Sequence, residues 1–255
     1  TQEYRVEPRW RDWMNRWPTP ADLAAAPLAE VIVAWQGLGY PRRALRLHAA
    51  AGVIVAQHGG EVPGSYDALR ALPGVGDYTA SAVLAFAYGE AVPVLDTNVR
   101  RVLHRWRLGS AFPATSSVGR AERNLALDLL PAGDLAPVWS VAVMELGALV
   151  CTARRPSCPE CPVVQACQWH RAGRPPGSPP TGQSTFRGSD RQARGFLLKA
   201  VTEAGSGTSA GLIGAWCEFR RGDPAAAAQG QRALASLLAD GLLAAGGGSV
   251  TLPRG

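Results

Sequence analysis

Leu72-Pro73-Gly74-Val75-Gly76 is the stretch on which the reading of this chain turns. It separates a short helical segment, Tyr66–Ala71, from a longer one, Asp77–Tyr88, whose apolar residues recur at helical spacing. Glycines at 74 and 76 let the backbone turn tightly and come close to another surface. The first N–H groups of the second helix then point outward, and such donors suit a phosphate. Two helices joined in this way can hold a DNA backbone without reading its sequence. The pentapeptide alone also fits an ordinary glycine turn between two helices.

About twenty residues further on stands Pro93-Val94-Leu95-Asp96-Thr97-Asn98-Val99-Arg100-Arg101-Val102. Asp96 precedes a predicted helix with apolar residues at 99, 102 and 103. An Asp in that place caps free helix N–H groups, and a carboxylate there can equally serve catalysis. Hairpin and spaced Asp together are far more specific than either alone.

Cys151, Cys158, Cys161 and Cys167 follow with the spacing C-x6-C-x2-C-x5-C. Four cysteines within seventeen residues, in a chain with no secretory signal pattern, point to a metal centre rather than a disulfide framework. Their chemistry allows zinc or an iron–sulfur cluster. Cys217 lies outside the pattern and reads as an apolar core residue.

The rest of the chain frames these features. It has 255 residues, 47% of them hydrophobic, which suits one large or two modest globular domains. The formal net charge of +6 favours a polyanionic partner, although a solvated arginine-rich surface gives the same balance. Of the 26 basic residues only Lys199 is a lysine. No apolar run is long enough to cross a bilayer, so no membrane role is expected and a cytoplasmic, nucleoid-associated location is. Helical periodicity in Ala44–Val55, Tyr78–Tyr88, Val99–Trp106, Ala121–Leu130 and Val138–Val150 makes residues 1–150 mainly α. Residues 151–171 form the cysteine loop, and 172–189, rich in Gly, Pro, Ser and Thr, a linker. Residues 190–255 read as a small winged-helix-like module. Phe196, Leu197 and Val201 lie on its first helix, Leu234, Leu237 and Leu238 on a later one over Gln229–Asp240, and Gly241 stops that helix. A turn at Gly246–Gly248 and a short strand over Ser249–Pro253 close it.

The first 170 residues resemble the helix-hairpin-helix, endonuclease III-type DNA glycosylases, and among them the A/G-specific adenine glycosylases of the MutY type. Besides the hairpin, Asp96 and the cysteine spacing, the likeness includes Thr1-Gln2, Trp35-Gln36-Gly37-Leu38-Gly39-Tyr40, Leu47-His48-Ala49-Ala50 and Met144-Glu145-Leu146-Gly147-Ala148. The resemblance implies a mainly α glycosylase domain with a [4Fe–4S] loop. It implies a monomer acting on double-stranded DNA that contains adenine opposite 8-oxoguanine or guanine.

Residue roles follow from the same likeness. Asp96 would be the catalytic carboxylate, with Asn98 and Tyr78 orienting or stabilising nearby groups. Gln2, Tyr40, Leu72, Gly74, Val75 and Gly76 would contact DNA, Tyr40 as an aromatic wedge beside the lesion. The four cysteines would hold the cluster. Bifunctional relatives carry a Schiff-base lysine where this chain has Tyr78, so a lyase reaction through that position is chemically closed. Each aromatic also fits a plain packing role. Pro41 departs from the second tyrosine common in the family.

Base removal would proceed by flipping adenine out of the stack and through an oxocarbenium-like transition state flanked by two carboxyl groups. The family's general acid is a glutamate that would fall six positions before Thr1, and Glu3 is in another register. The sequence is therefore read as a fragment of an active enzyme, or else as a truncated protein that binds DNA and catalyses poorly. The C-terminal module is too short for the MutT-like domain of many relatives. A non-catalytic iron–sulfur DNA-binding protein, an endonuclease III-like glycosylase and a zinc-containing regulator are the competing readings.

Overall fold

The computed structural model describes residues 3–179 and 185–253, with side chains from Val6 onward. Its helices are α1 (Glu3–Arg16), α2 (Pro20–Ala25), α3 (Leu28–Ala34), α4 (Arg42–His58), α5 (Tyr66–Ala71), α6 (Asp77–Ala87), α7 (Thr97–Arg107), α8 (Arg120–Leu129), α9 (Leu135–Glu145), α10 (Gln168–Arg171), α11 (Asp190–Ala204), α12 (Ser209–Phe219) and α13 (Ala226–Ala239). Three short strands follow or interrupt the last of these: β1 (Ser206–Gly207), β2 (Ala244–Gly246) and β3 (Ser249–Thr251). The chain divides into two compact units. One comprises Thr1–Pro63, Leu72–Gly74 and Ser184–Gly255, the other Gly64–Ala71 and Val75–Gln183.

The first unit has two cores. Around α2 to α4, Trp17, Leu23 and Val31 pack on Ala44 and Ala51, and the small alanines let the helices approach closely. Trp13 meets Trp17 and Trp35 edge-on, with centroids 4.8 and 5.7 Å away. α2 starts at a reciprocal cap, in which Thr19 Oγ1 accepts from the Asp22 amide and the Asp22 carboxylate accepts from the Thr19 amide.

The second core belongs to the C-terminal module. Leu197, Val201, Leu212, Trp216, Leu234, Leu237, Leu242 and Val250 are buried together. Helix, strand, helix, helix, strand, strand is the order along the chain, and the antiparallel sheet runs β1-β3-β2. The order contains the three helices and the final strand expected of the module, with β1 and β2 in addition. α13 begins at Ala226, earlier than its periodicity predicts, and Gly241 ends it in the left-handed region at φ +72°. β1 and β2 are too short and too rich in Gly and Ala to show in the sequence. Ile32 of α3 is buried in this same core, with Leu28 and Leu45 packed against it. Cys217 lies half-buried beside it.

In the second unit, α7, α8 and α9 meet through Val99, Val102, Leu103, Ala126 and Val143. The helix expected over Val138–Val150 starts at Leu135, is α-helical only to Glu145, and continues as a π turn over Leu146–Val150. Gly147 of that turn presses on α7, where a Cβ would lie 2.8 Å from Asn98 Cβ and 2.9 Å from its carbonyl oxygen.

Candidate active site and cysteine centre

The glycine turn takes the shape its sequence predicts. Gly74 sits at φ +80°, open only to glycine at low cost, and a Cβ there would come within 2.6 Å of Arg46 Cβ. Gly76 is the N-cap of α6 and offers no side chain to its amides, so the exposed helix start keeps its donors for another partner. Asp77, the first residue of α6, would repel an anion were it not paired with Arg70 at 2.7 Å and Arg123 at 3.0 Å. Burial works against its ionisation, but the hydrogen bonds from Arg123 and Tyr66 and the charges of both arginines hold its carboxyl below the usual range. Arg70 also donates to the Val75 carbonyl at 2.8 Å, bracing the turn. Val75 is half-buried, whereas Leu72 is 4% exposed and turns its side chain into the core.

Asp96 is the N-cap of α7. Its Oδ1 accepts from the Val99 amide at 2.6 Å, and its Oδ2 accepts from Asn98 Nδ2 at 3.1 Å. Capping and a catalytic role are therefore compatible in one residue, since each oxygen retains a lone pair. Tyr78 on α6 shares the site. Partial burial and then the charge of Asp96 raise its phenol above the ordinary value, so the hydroxyl stays protonated and able to donate. Asp96, Asn98 and Tyr78 thus come together. Tyr40 belongs to the other compact unit, where it is exposed at φ +48°. Gln2 lies outside the described residues.

Behind the carboxylate stands an arginine framework that the sequence did not disclose. Arg101 Nη2 donates to Asn98 Oδ1 at 2.9 Å and to the Gly147 carbonyl at 2.6 Å, and its Nε donates to the Cys151 carbonyl at 2.8 Å. Arg105 donates to the carbonyls of Ala111, Thr152 and Ala153 and lies over the Trp169 ring, 4.4 Å from its centroid. Arg100 pairs with Glu122 at 2.7 Å. All three arginines are buried. The positive balance read from composition thus includes charges that never face a partner. Only their placement on α7, whose apolar positions interleave with them, could have hinted at it.

Cys151, Cys158, Cys161 and Cys167 line one small cavity, closed by Val150, Pro156, Val164, Trp169 and His170. None forms a disulfide. Burial raises the Cys161 thiol and so do the other three sulfurs, although a hydrogen bond with the Val163 backbone opposes this. Among the described residues no three ligating side chains converge on a point suited to one metal ion. Four cysteines around one cavity are a donor set that a metal centre can use. Arg154 and Arg155 project from this loop into solvent.

The chain is similar to known proteins along most of its length. Residues 1–125 fit the model of the HhH-GPD superfamily of base excision DNA repair proteins. The adenine DNA glycosylase of Mycobacterium tuberculosis strain H37Rv is 49% identical over 245 residues, covering 95% of this chain and 78% of the relative. That of Mycolicibacterium smegmatis is 47% identical over 240 residues, covering 94% and 78%. Among solved structures, a thermostable thymine-DNA glycosylase aligns with a TM-score of 0.62 at 27% identity, over 68% of this chain and 79% of that one. A non-covalent endonuclease III–DNA complex aligns at 0.59 and 25% identity, over 68% and 80%. With nearly half its residues shared along almost its whole length, the chain belongs to the adenine DNA glycosylase family of the HhH-GPD superfamily.

Proposed function

We propose that the protein removes adenine mispaired with 8-oxoguanine or guanine in double-stranded DNA, by hydrolysis of the N-glycosidic bond and without strand cleavage. The observation that carries this reading is the grouping of Asp96, Asn98 and Tyr78, with a phenol where a lyase needs an amine. As the bond to the flipped base lengthens, positive charge develops on the sugar; a general acid protonates the departing adenine and water adds to the sugar carbon. Asp96, held in place by the Val99 amide and by Asn98, supplies the opposing negative charge. Tyr78 keeps its proton and can donate to a sugar or phosphate oxygen. The glycine turn with its open α6 amides holds the backbone phosphate, and Tyr40 stacks in the duplex beside the lesion.

The four cysteines would hold a [4Fe–4S] cluster, which when bound supplies iron–thiolate bonds that cross-link residues 151–167. The arginines of α7 grip the same loop through its carbonyls. The reading includes a monomer working on the cytoplasmic nucleoid, and among the described residues no helix is long and apolar enough to cross a membrane.

A single-turnover assay tests it, on duplexes with A opposite 8-oxoguanine, A opposite G and A opposite T, each with and without alkali. Alkali-dependent cleavage of the first two substrates, lost in Asp96→Asn, is the expected result. Cleavage without alkali, or equal attack on A opposite T, would overturn it.

A further inference from the structure

Tyr40 occupies a backbone region that side chains rarely adopt, at φ +48°, in a loop that also holds Gly37 at +83° and Gly39 at +76°. Such a conformation persists only where the surroundings determine it. Within the loop, Trp35 Nε1 donates to the Gly39 carbonyl at 2.9 Å, and the Arg43 guanidinium lies over the Tyr40 ring at 5.2 Å. The stronger constraint comes from the two helices that flank it. On the α3 side, Ile32 is 1% exposed and sits in the core of the C-terminal module, with Leu28 beside it. On the α4 side, Leu45 packs against the same core. Arg42, the first residue of α4, donates through Nε to Asp240 Oδ2 at 2.5 Å.

Asp240 is placed against its own helix. It stands at the C-cap of α13, where a negative charge opposes the helix dipole. Two guanidiniums reverse that penalty. Arg194 of α11 bonds Asp240 Oδ2 at 2.6 Å, and Arg42 reaches the same carboxylate from α4, leaving the acid's side chain 8% exposed. The carboxylate is thus fixed within the module by one arginine and offered to α4 through the other.

We propose that the C-terminal module braces the Tyr40 loop, with Arg42 and Asp240 as positioning residues that keep the ring aimed for insertion into DNA. Inserting an aromatic between bases requires a tip that does not yield, and a support fixed on both flanks of the loop supplies that preorganisation. This rests on the wedge role of Tyr40 given above.

The test compares Tyr40→Ala, Arg42→Ala, Arg42→Lys, Arg194→Ala and the Tyr40→Ala/Arg42→Ala pair. Base extrusion is followed by the fluorescence of 2-aminopurine placed next to the target adenine. Arg42→Ala should slow extrusion about fivefold, a size typical of residues in contact. Arg42→Lys should recover part of it. Arg194→Ala loosens the same carboxylate inside the module but leaves the bond to Arg42, so it should lower Tm and slow extrusion by less than Arg42→Ala does. In the Tyr40→Ala background the effect of Arg42→Ala should vanish. A full-sized effect in that background, an equal effect from Arg194→Ala, or no effect of Arg42→Ala would overturn the brace. So would a shallower salt dependence of binding to undamaged duplex, which would make Arg42 a phosphate contact. Normal extrusion by Tyr40→Ala would instead remove the wedge assignment, and the brace with it.

Discussion

Asn98 donates its amide to Asp96 Oδ2 at 3.1 Å while its own oxygen accepts from Arg101. The orientation of the carboxylate is therefore set by a residue that is itself held on its far side. Asp96→Asn should preserve the fold, because Asn caps a helix as well as Asp does, yet lower single-turnover adenine release about a thousandfold through loss of the charge. Asn98→Ala should cost about ten- to a hundredfold, the range for losing a hydrogen bond to a charged group. Equal rates for Asn98→Ala and the parent would show that Asp96 needs no such support.

Arg101→Leu should reduce stability more than any exposed arginine substitution. It leaves the Gly147 carbonyl without its arginine donor in a buried setting and the Cys151 carbonyl with only the longer bond from Arg105 Nη1. Unsatisfied buried groups of this kind cost about 1–3 kcal/mol each. Urea unfolding read by far-UV circular dichroism checks this. A midpoint unchanged from the parent would mean that water takes over the role of the guanidinium.

Gly147→Ala tests the close approach of the π turn to α7. The added Cβ would meet the backbone of Asn98, which cannot swing aside as a side-chain tip would. The expected result is a loss of adenine release at least as large as that of Asn98→Ala, with Asp96 intact. Parent-like kinetics would show that the two elements can separate without consequence.

Iron content tests the cysteine centre. Purified anaerobically, the protein should carry about four irons per chain and absorb in the visible range. Cys158→Ser should lose the absorbance and melt at a lower temperature. A colourless protein with one zinc per chain would replace the cluster reading with the zinc one.

Stability should also fall in mild acid. Burial holds His104 below its ordinary value of 6.5, with Arg100 adding to the effect and Glu122 opposing it. A histidine depressed by folding binds its proton more readily when unfolded, so its contribution is complete above about pH 6.5 and shrinks as pH falls toward the folded value. Thermal melts from pH 7.5 down to 5.0 should show this slope. His104→Gln should flatten it, and an unflattened slope would assign the acid sensitivity to other groups.

Much of this was legible because it depends on local chemistry. Glycines at 74 and 76, an Asp ahead of a helix and the spacing of four cysteines each constrain the backbone within a few residues. Tyr78 could be read as a non-amine from its identity alone. What stayed hidden depends on residues far apart in sequence. Arg101 and Arg105 look like surface arginines until Cys151, Thr152 and Ala153 fold over them. Ile32 reads as part of an N-terminal helix, yet its neighbours are residues from 193 onward. The switch from α to π winding after Glu145 comes where Gly147 approaches Asn98, which no helical periodicity records.

That π turn also governs which changes of chain length the protein can tolerate. From Leu146 to Val150 the backbone accommodates an additional residue within its winding, and the Cys151 amide closes the turn on the Leu146 carbonyl at 2.6 Å. Ordinary α winding over the same five residues would rotate each later position by about 100° around the axis. Cys151 would then leave the cavity it shares with the other three cysteines. A segment that looks like a plain helix end is thus a matter of winding as well as of length, open to substitution at Leu149 on its exposed face and dependent on the π turn to carry its extra residue.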